Sequence, residues 1–384
     1  MKEIPFNHPF LVGTELGYVR QAAEEGGLES GGPFTARCET WLADTTGAKR
    51  ALLSHSGTGG LEAAMVLADL GPGDEVIMPS FAYPTMATAV VRQGATPVFV
   101  DVDPRTLNLD PTEVKKAVGP QTKAIVAVHY GGVGCEMDEL LAIAAPTGLT
   151  VIEDAAHCLL ATYRDRPLGT LGDLGTFSFH HTKNVSSGEG GALLVNNPAL
   201  LERAEVVWEK GTDRKRFERG EVDRYTWVDI GSSFAASELT AAFLWGQLEA
   251  AEEITGRRRE IWNRYHEAFA ELEAEGLAQR PVVPDGHTHN GHLYYLVLPT
   301  PSARDAFIAA MRAKGIATSF HYVPLHSSPA GRRFGRSVGD LAETERLSSR
   351  LVRLPLWTGL DSDSVARVID AADAALNDVA SSRA

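Results

Sequence analysis

Asp154 and Lys183 stand 29 positions apart, each at the end of a short apolar run. Val151-Ile152-Glu153-Asp154-Ala155-Ala156-His157 reads as a β-branched strand that delivers a carboxylate and an imidazole at its carboxyl end, where open α/β sheets place their ligands. Thr176-Phe177-Ser178-Phe179-His180-His181-Thr182-Lys183-Asn184 reads as a second strand running into a turn, closed by Gly188-Glu189-Gly190-Gly191. A lysine amine on such a turn can form a Schiff base with a carbonyl and, once freed, serve as a general base. A carboxylate facing a pyridine nitrogen keeps that nitrogen protonated, so that the ring accepts electrons. These are the two charges that pyridoxal phosphate chemistry requires. Taken singly, Asp154 reads equally as a carboxylate capping a helix, and Lys183 as a solvated loop lysine, one of nine against 27 arginines.

A third element is an anion site. Ala51-Leu52-Leu53-Ser54-His55-Ser56-Gly57-Thr58-Gly59-Gly60 precedes a helical stretch over 61–70, so free amides and the positive helix end point at whatever binds there. Period-two alternation puts Ser178 and His180 on the strand face opposite Phe177 and Phe179, where the Ser178 hydroxyl is placed to serve the same phosphate. An ordinary capped helix after a turn explains the first of these patterns on its own terms. The pattern Gly-x-Gly-x-x-Gly does not follow a strand here, which leaves a dinucleotide fold without support.

Around these sites, apolar runs at 75–78, 96–101, 123–129, 150–154, 175–180 and 192–195 alternate with helical segments. This predicts an α/β fold, a mostly parallel sheet with helices on both faces. A long helix is expected over 235–275, followed by a smaller α+β part with strands at 293–298 and 318–322 and helices at 302–314 and 362–377. At 384 residues and 44% hydrophobic, the chain exceeds one ordinary core. We divide it into a large domain, 1–250, and a small one, 251–384.

The order of the phosphate turn, Glu-Asp-Ala-Ala-His, Ser-Phe-His-His-Thr-Lys-Asn and Gly-Glu-Gly-Gly resembles the DegT/StrS sugar aminotransferases, of the aspartate aminotransferase fold. The likeness runs from Ile4-Pro5-Phe6-Asn7, through Val128-His129-Tyr130-Gly131-Gly132-Val133, to His321-Tyr322-Val323-Pro324-Leu325-His326. Within the family, Tyr225 to Ser233 and Gly211-Thr212-Asp213-Arg214 look most like the dTDP-4-keto-6-deoxyglucose 4-transaminases. Where most members have Gly-x-Asn-x-Arg, this chain reads Gly231-Ser232-Ser233-Phe234-Ala235.

The resemblance implies pyridoxal 5'-phosphate as cofactor, with Lys183 as the Schiff-base lysine, Asp154 as the pyridinium partner and His157 beside the phenolic oxygen. Thr58, Gly59 and Ser178 would hold the phosphate and Tyr83 would stack on the ring. Ser233 would take the place of an asparagine that reaches the phosphate across a homodimer interface, where the active sites lie. Lys210 and Arg219, in a cation-rich segment that reads equally as a solvated charged loop, would belong to a flap that meets a nucleotide-sugar pyrophosphate, for which arginine's fork is suited. His321 and His326 would approach the sugar. A lone histidine is as readily a structural group. The implied reaction passes the amine of L-glutamate to C4 of a dTDP-linked 4-keto-6-deoxy sugar, giving a galacto or a gluco product. Lys183 counts against the dehydrase branch, which has histidine there.

Composition bounds the rest. A net charge of −14 argues against nucleic acid or an anionic membrane as partner, and a DNA-binding regulator would carry a basic recognition helix that is missing here. The start, Met1-Lys2-Glu3-Ile4-Pro5, lacks a basic stretch followed by an apolar one, and no apolar run approaches about 18 residues, so a cytoplasmic enzyme is expected. Cys38, Cys135 and Cys158 are too few and scattered for a disulfide framework or zinc site, and the twelve histidines form no metal-like cluster. Cys158, next to His157, is placed to border the site.

Overall fold

The computed structural model describes residues 3–381, so Met1 and Lys2 of the amino-terminal stretch lie outside the described residues. The strands that position the site are β1 (Arg50–Ser54), β2 (Glu75–Pro79), β3 (Thr96–Val100), β4 (Thr122–Val128), β5 (Thr150–Asp154), β6 (Leu174–Ser178), β7 (Gly191–Val195), β8 (Tyr294–Val297), β9 (Arg336–Ser337) and β10 (Leu351–Leu354). The helices used below are α1 (Glu15–Glu25), α2 (Pro33–Thr46), α3 (Gly57–Leu67), α4 (Glu238–Leu248), α5 (Ala251–Ala268), α6 (Ala270–Ala274), α7 (Pro301–Ala313) and α8 (Ser362–Ser381).

Eight strands form one sheet in the order β1-β7-β6-β5-β4-β2-β3-β9. The run from β6 to β9 is parallel, and β7 pairs antiparallel with both β1 and β6. The expected mostly parallel α/β sheet is therefore present. Both of its faces are buried, and the period-two alternation sorts side chains between them. Ile125, Ala127, Val151, Phe177, Ala192 and Leu194 enter a core with residues of α1, α2 and α4. Val126, Val128, Ile152, Leu193 and Val195 enter the opposite core with Leu61 to Leu67 of α3. A third core joins Ile261, Trp262 and Tyr265 of α5 to β8, α7, β10 and α8, and Ile4 near the amino terminus packs into it. There β8 and β10 form an antiparallel pair.

Three local expectations are corrected. The helix expected at 61–70 begins at Gly57, because the Ser56 side chain accepts the Gly59 amide at 3.0 Å and caps a turn that glycine propensity alone disfavours. The long helix over 235–275 is three helices, α4, α5 and α6, interrupted at Glu249–Ala250 and at Phe269, whose buried ring belongs to the third core. The strand expected at 318–322 is a single bridge, Ser319 to Arg353. The rings of His321 and Tyr322 stack 3.9 Å apart at 14°, whereas successive side chains of a strand point to opposite faces. Among the described residues, no helix is long and apolar enough to cross a membrane.

Candidate active site

The register puts Asp154, last residue of β5, beside Val128 of β4 and Thr176 of β6. Its neighbour Glu153 points the other way and is wholly buried. There Glu153 accepts amides of Gly169, Leu171 and Gly172 and bonds the His129 ring at 2.8 Å. The amide of Cys135 donates to His129 Nδ1, so the ring gives the proton on Nε2 to Glu153. This anchor fixes the strand end and leaves Asp154 toward the open side, where the Ala156 amide donates to its Oδ1 at 3.1 Å.

Lys183 is held by a hairpin continuing β6. Phe177 and Phe179 lock into the core on one face, the Phe179 amide bonds Gly190 and the His181 amide bonds Gly188. The Lys183 amide donates to the His180 carbonyl at 2.8 Å, which closes the turn. Burial drops the Lys183 amine from its usual range to about 8, with Asp154 opposing that drop. Burial likewise raises the Asp154 carboxyl, against the Ala156 amide and the Lys183 charge.

Asp154 and Lys183 line one cavity of about 450 Å³, together with Thr58, Tyr83, His157, Ser178 and His321. Gly57 and Thr58 line it too, and a helix leaves the amides of its first turn without intrahelical partners. Ser178 approaches so closely that a Cβ on Gly57 would lie 2.9 Å from its Cβ. The imidazole of His157 accepts the Gly131 amide at 3.3 Å and stacks on His292 at 4.1 Å. Burial holds both rings well below their usual pKa, and it lowers His321 to about 2, so all three are neutral. Tyr83 is 61% exposed at the rim, tilted toward Tyr322 at 6.4 Å.

Other expected site residues lie elsewhere. Gly59 does not line the cavity; its amide is taken by Ser56. His326 bonds the Ser80 hydroxyl at 2.7 Å, pairs with Glu345 at 3.1 Å and does not line the cavity. Lys210 has a left-handed backbone at φ 64°, Arg219 pairs with Glu205 and Glu221, and Ser233 bridges Glu209. None of these three lines the cavity. They neighbour exposed apolar side chains, Tyr225, Trp227, Val228 and Ile230. Cys158 is buried behind His157 in a second, much smaller hollow.

Sequence reasoning missed Arg353, His292 and Arg258, which also line the cavity. Arg258 is buried and donates to the carbonyls of Gly291, His292 and Leu356, tying α5 to the loops that carry His292 and follow β10. Arg353 did leave a signal, a lone charge in the apolar strand Leu351-Val352-Arg353-Leu354.

Residues 11–373 match the model of the DegT/DnrJ/EryC1/StrS aminotransferase family. The chain belongs to this family. The aminotransferase is 36% identical, over 96% of each chain, to the spore coat polysaccharide biosynthesis protein SpsC of Bacillus subtilis. It is 34% identical to the GDP-perosamine synthase of Caulobacter vibrioides, over 96% of this chain and 97% of that one. The crystal structure of the aminotransferase TlmJ from Streptoalloteichus hindustanus superposes with a TM-score of 0.89 at 32% identity, covering 98% of this chain and all of that one.

The family consists of sugar aminotransferases dependent on pyridoxal phosphate, and this chain is such an enzyme. Its cavity suits the group. The close approach of Ser178 to Gly57 brings a hydroxyl beside the helix N-terminus, whose first amides suit a phosphate, and a buried amine of lowered pKa lines the same cavity as a carboxylate.

Proposed function

We propose that the enzyme passes the amino group of L-glutamate to C4 of dTDP-4-keto-6-deoxy-D-glucose, giving a dTDP-4-amino-4,6-dideoxy sugar. The observation that carries this reading is the meeting of Lys183, Asp154 and the α3 N-terminus in one cavity. Bound there, pyridoxal phosphate supplies an aldehyde carbon and an electron-accepting ring. Thr58 and Ser178 hold its phosphate, and Tyr83 covers its ring. Asp154 faces the ring nitrogen, a cation that favours the ionised form burial opposes. His157, neutral and with Nδ1 occupied by the Gly131 amide, presents Nε2–H to the phenolic oxygen. Lys183, with a pKa of about 8, takes and returns the proton at the reacting carbon near neutral pH.

The enzyme acts as a homodimer in this proposal. Ser233, Lys210 and Arg219 lie outside the cavity of their own chain, beside exposed Trp227 and Ile230. An apolar patch of that kind suits a subunit interface. Ser233 of the partner subunit then completes the phosphate site, and Lys210 and Arg219 of the partner subunit meet the sugar's pyrophosphate. His321, beside Tyr130 Oη at 3.1 Å, approaches the sugar.

The Caulobacter relative supports a second acceptor, a GDP-linked keto sugar. The test is to load the enzyme with L-glutamate and then add dTDP-, GDP- or UDP-linked 4-keto-6-deoxy sugars in separate single turnovers, with NMR of each product. We expect the dTDP sugar to react fastest and to carry nitrogen at C4. Preference for the GDP sugar establishes the second reading, and failure of all the 4-keto sugars to take nitrogen from the loaded enzyme rejects both.

A further inference from the structure

The hairpin that carries Lys183 holds a pair of ionisable side chains with no role assigned above. The Phe179 amide donates to the Gly190 carbonyl and the His181 amide to the Gly188 carbonyl, so His180 and Glu189 face each other across the two arms. Both line the cavity shared by Lys183 and Asp154. The Thr182 amide donates to His180 Nδ1 at 3.4 Å and the Thr182 hydroxyl lies 2.9 Å from it, so that nitrogen is an acceptor. The ring proton is then on Nε2, 3.6 Å from Glu189 Oε1. Burial holds His180 below its usual pKa against the pull of Glu189, so the ring is neutral. The Glu189 side chain is 70% exposed, and its carboxylate has no other hydrogen bond or ion pair among the described residues.

A carboxylate beside one neutral ring keeps acceptor sites on both oxygens. Its charge repels the carboxylates of an amino donor and the phosphates of a nucleotide, so the groups it suits are neutral donors. A hexose offers such donors in pairs. In a 4-keto-6-deoxy sugar the C3 hydroxyl flanks the reacting carbon, and the C2 hydroxyl is next to it. Lys183 stands in the loop that joins the two arms, and its charge acts on His180. A sugar that presents C4 to Lys183 therefore brings these two hydroxyls within reach of the same hairpin.

We propose that Glu189, positioned by His180, accepts the C2 and C3 hydroxyls of the keto sugar and makes the enzyme selective for acceptors that carry both; this rests on the 4-keto sugar reading given above. A site built to bond a hydroxyl discriminates strongly against the analogue that lacks it, because its own polar group is then left unpaired.

The test separates the two half-reactions of the holoenzyme. Half-saturation by L-glutamate is read from the cofactor's visible absorbance, and the glutamate-loaded enzyme is then mixed with dTDP-4-keto-6-deoxyglucose or with its 2-deoxy or 3-deoxy analogue. The wild-type enzyme is expected to favour the parent sugar by about 10- to 100-fold over each analogue. Glu189→Ala should slow the parent sugar by a similar factor, about 10- to 100-fold, and bring parent and analogues within about threefold of one another. Half-saturating glutamate should stay within about twofold. Glu189→Gln, which keeps one acceptor oxygen, falls between. His180→Asn leaves the carboxylate and frees it, so the selectivity should drop by about threefold, again with glutamate saturation unmoved.

Unchanged selectivity in Glu189→Ala, or an equal loss in both half-reactions, makes the pair a brace for the hairpin and overturns the proposal. Equal turnover of parent and deoxy sugars by the wild-type enzyme overturns it without any variant. If the wild-type enzyme takes only a GDP-linked sugar, the dTDP reading fails by itself, and the same deoxy comparison in the GDP series decides Glu189. If no 4-keto sugar takes nitrogen from the loaded enzyme, both fail.

Discussion

The charges of Asp154 and Lys183 oppose burial in each other: the amine draws the carboxyl down toward its charged form, and the carboxylate draws the amine up. Neither group alone would keep its charge so near neutrality in that cavity. Asp154→Asn should therefore drop the Lys183 amine below its present value of about 8. It should also cut turnover by at least about 100-fold, as loss of a preorganised charge facing the reaction does. An Asp154→Asn enzyme with near-normal turnover would remove the carboxylate from the mechanism.

The pH dependence of Lys183 follows from its lowered pKa. In the ligand-free protein the neutral amine appears above about pH 8. The rate of attachment of pyridoxal phosphate should rise with pH to a plateau with that midpoint, and Lys183→Arg should abolish it. For stability the sign is unfavourable at neutral pH. Between about 8 and the usual 10.5 the unfolded chain binds more protons at this group, so its penalty is full below pH 8 and is relieved as pH rises. An attachment midpoint near 10.5 would contradict the burial argument.

Gly57→Ala tests the phosphate cradle. The new Cβ would lie 2.9 Å from that of Ser178, so α3 or the end of β6 must shift. Affinity for pyridoxal phosphate should fall by about tenfold or more, measured by equilibrium dialysis, since a charge-assisted contact is lost when donors move off geometry. Ser178→Ala should weaken binding through the same phosphate without the steric shift.

His326→Ala separates a structural role from a role at the sugar. Loss of the bonds to Ser80 and Glu345 should cost about 1 kcal/mol of stability, seen in denaturant unfolding. Both half-reactions should be unchanged. A selective loss in the sugar step would return His326 to the substrate site.

The parallel core was legible because strands buried on both faces read as apolar runs, and Asp154 and Ser178 close two of them. Lys183 was legible through the turn and glycine cluster that follow β6. Arg353 left only a lone charge in an apolar strand and His292 left nothing, because each reaches the cavity through packing between segments far apart in sequence: β10 lies against β8, and His292 is fixed by Asn184 at 2.9 Å. His321 and Tyr322 misled for a different reason. Their alternation of aromatic and polar residues imitates a strand, while ring stacking holds both on one side. At His326 the deciding partner was Ser80, 246 positions away. A tertiary contact of that kind leaves no local pattern.

The central claim is that Lys183, among nine lysines, carries the cofactor. Borohydride reduction of the holoenzyme, followed by proteolysis and mass spectrometry, tests it directly. We predict the reduced pyridoxyl label on the peptide containing Lys183 and on no other, with Lys183→Ala unlabelled. A label on a different lysine, or one that persists in Lys183→Ala, would contradict the account.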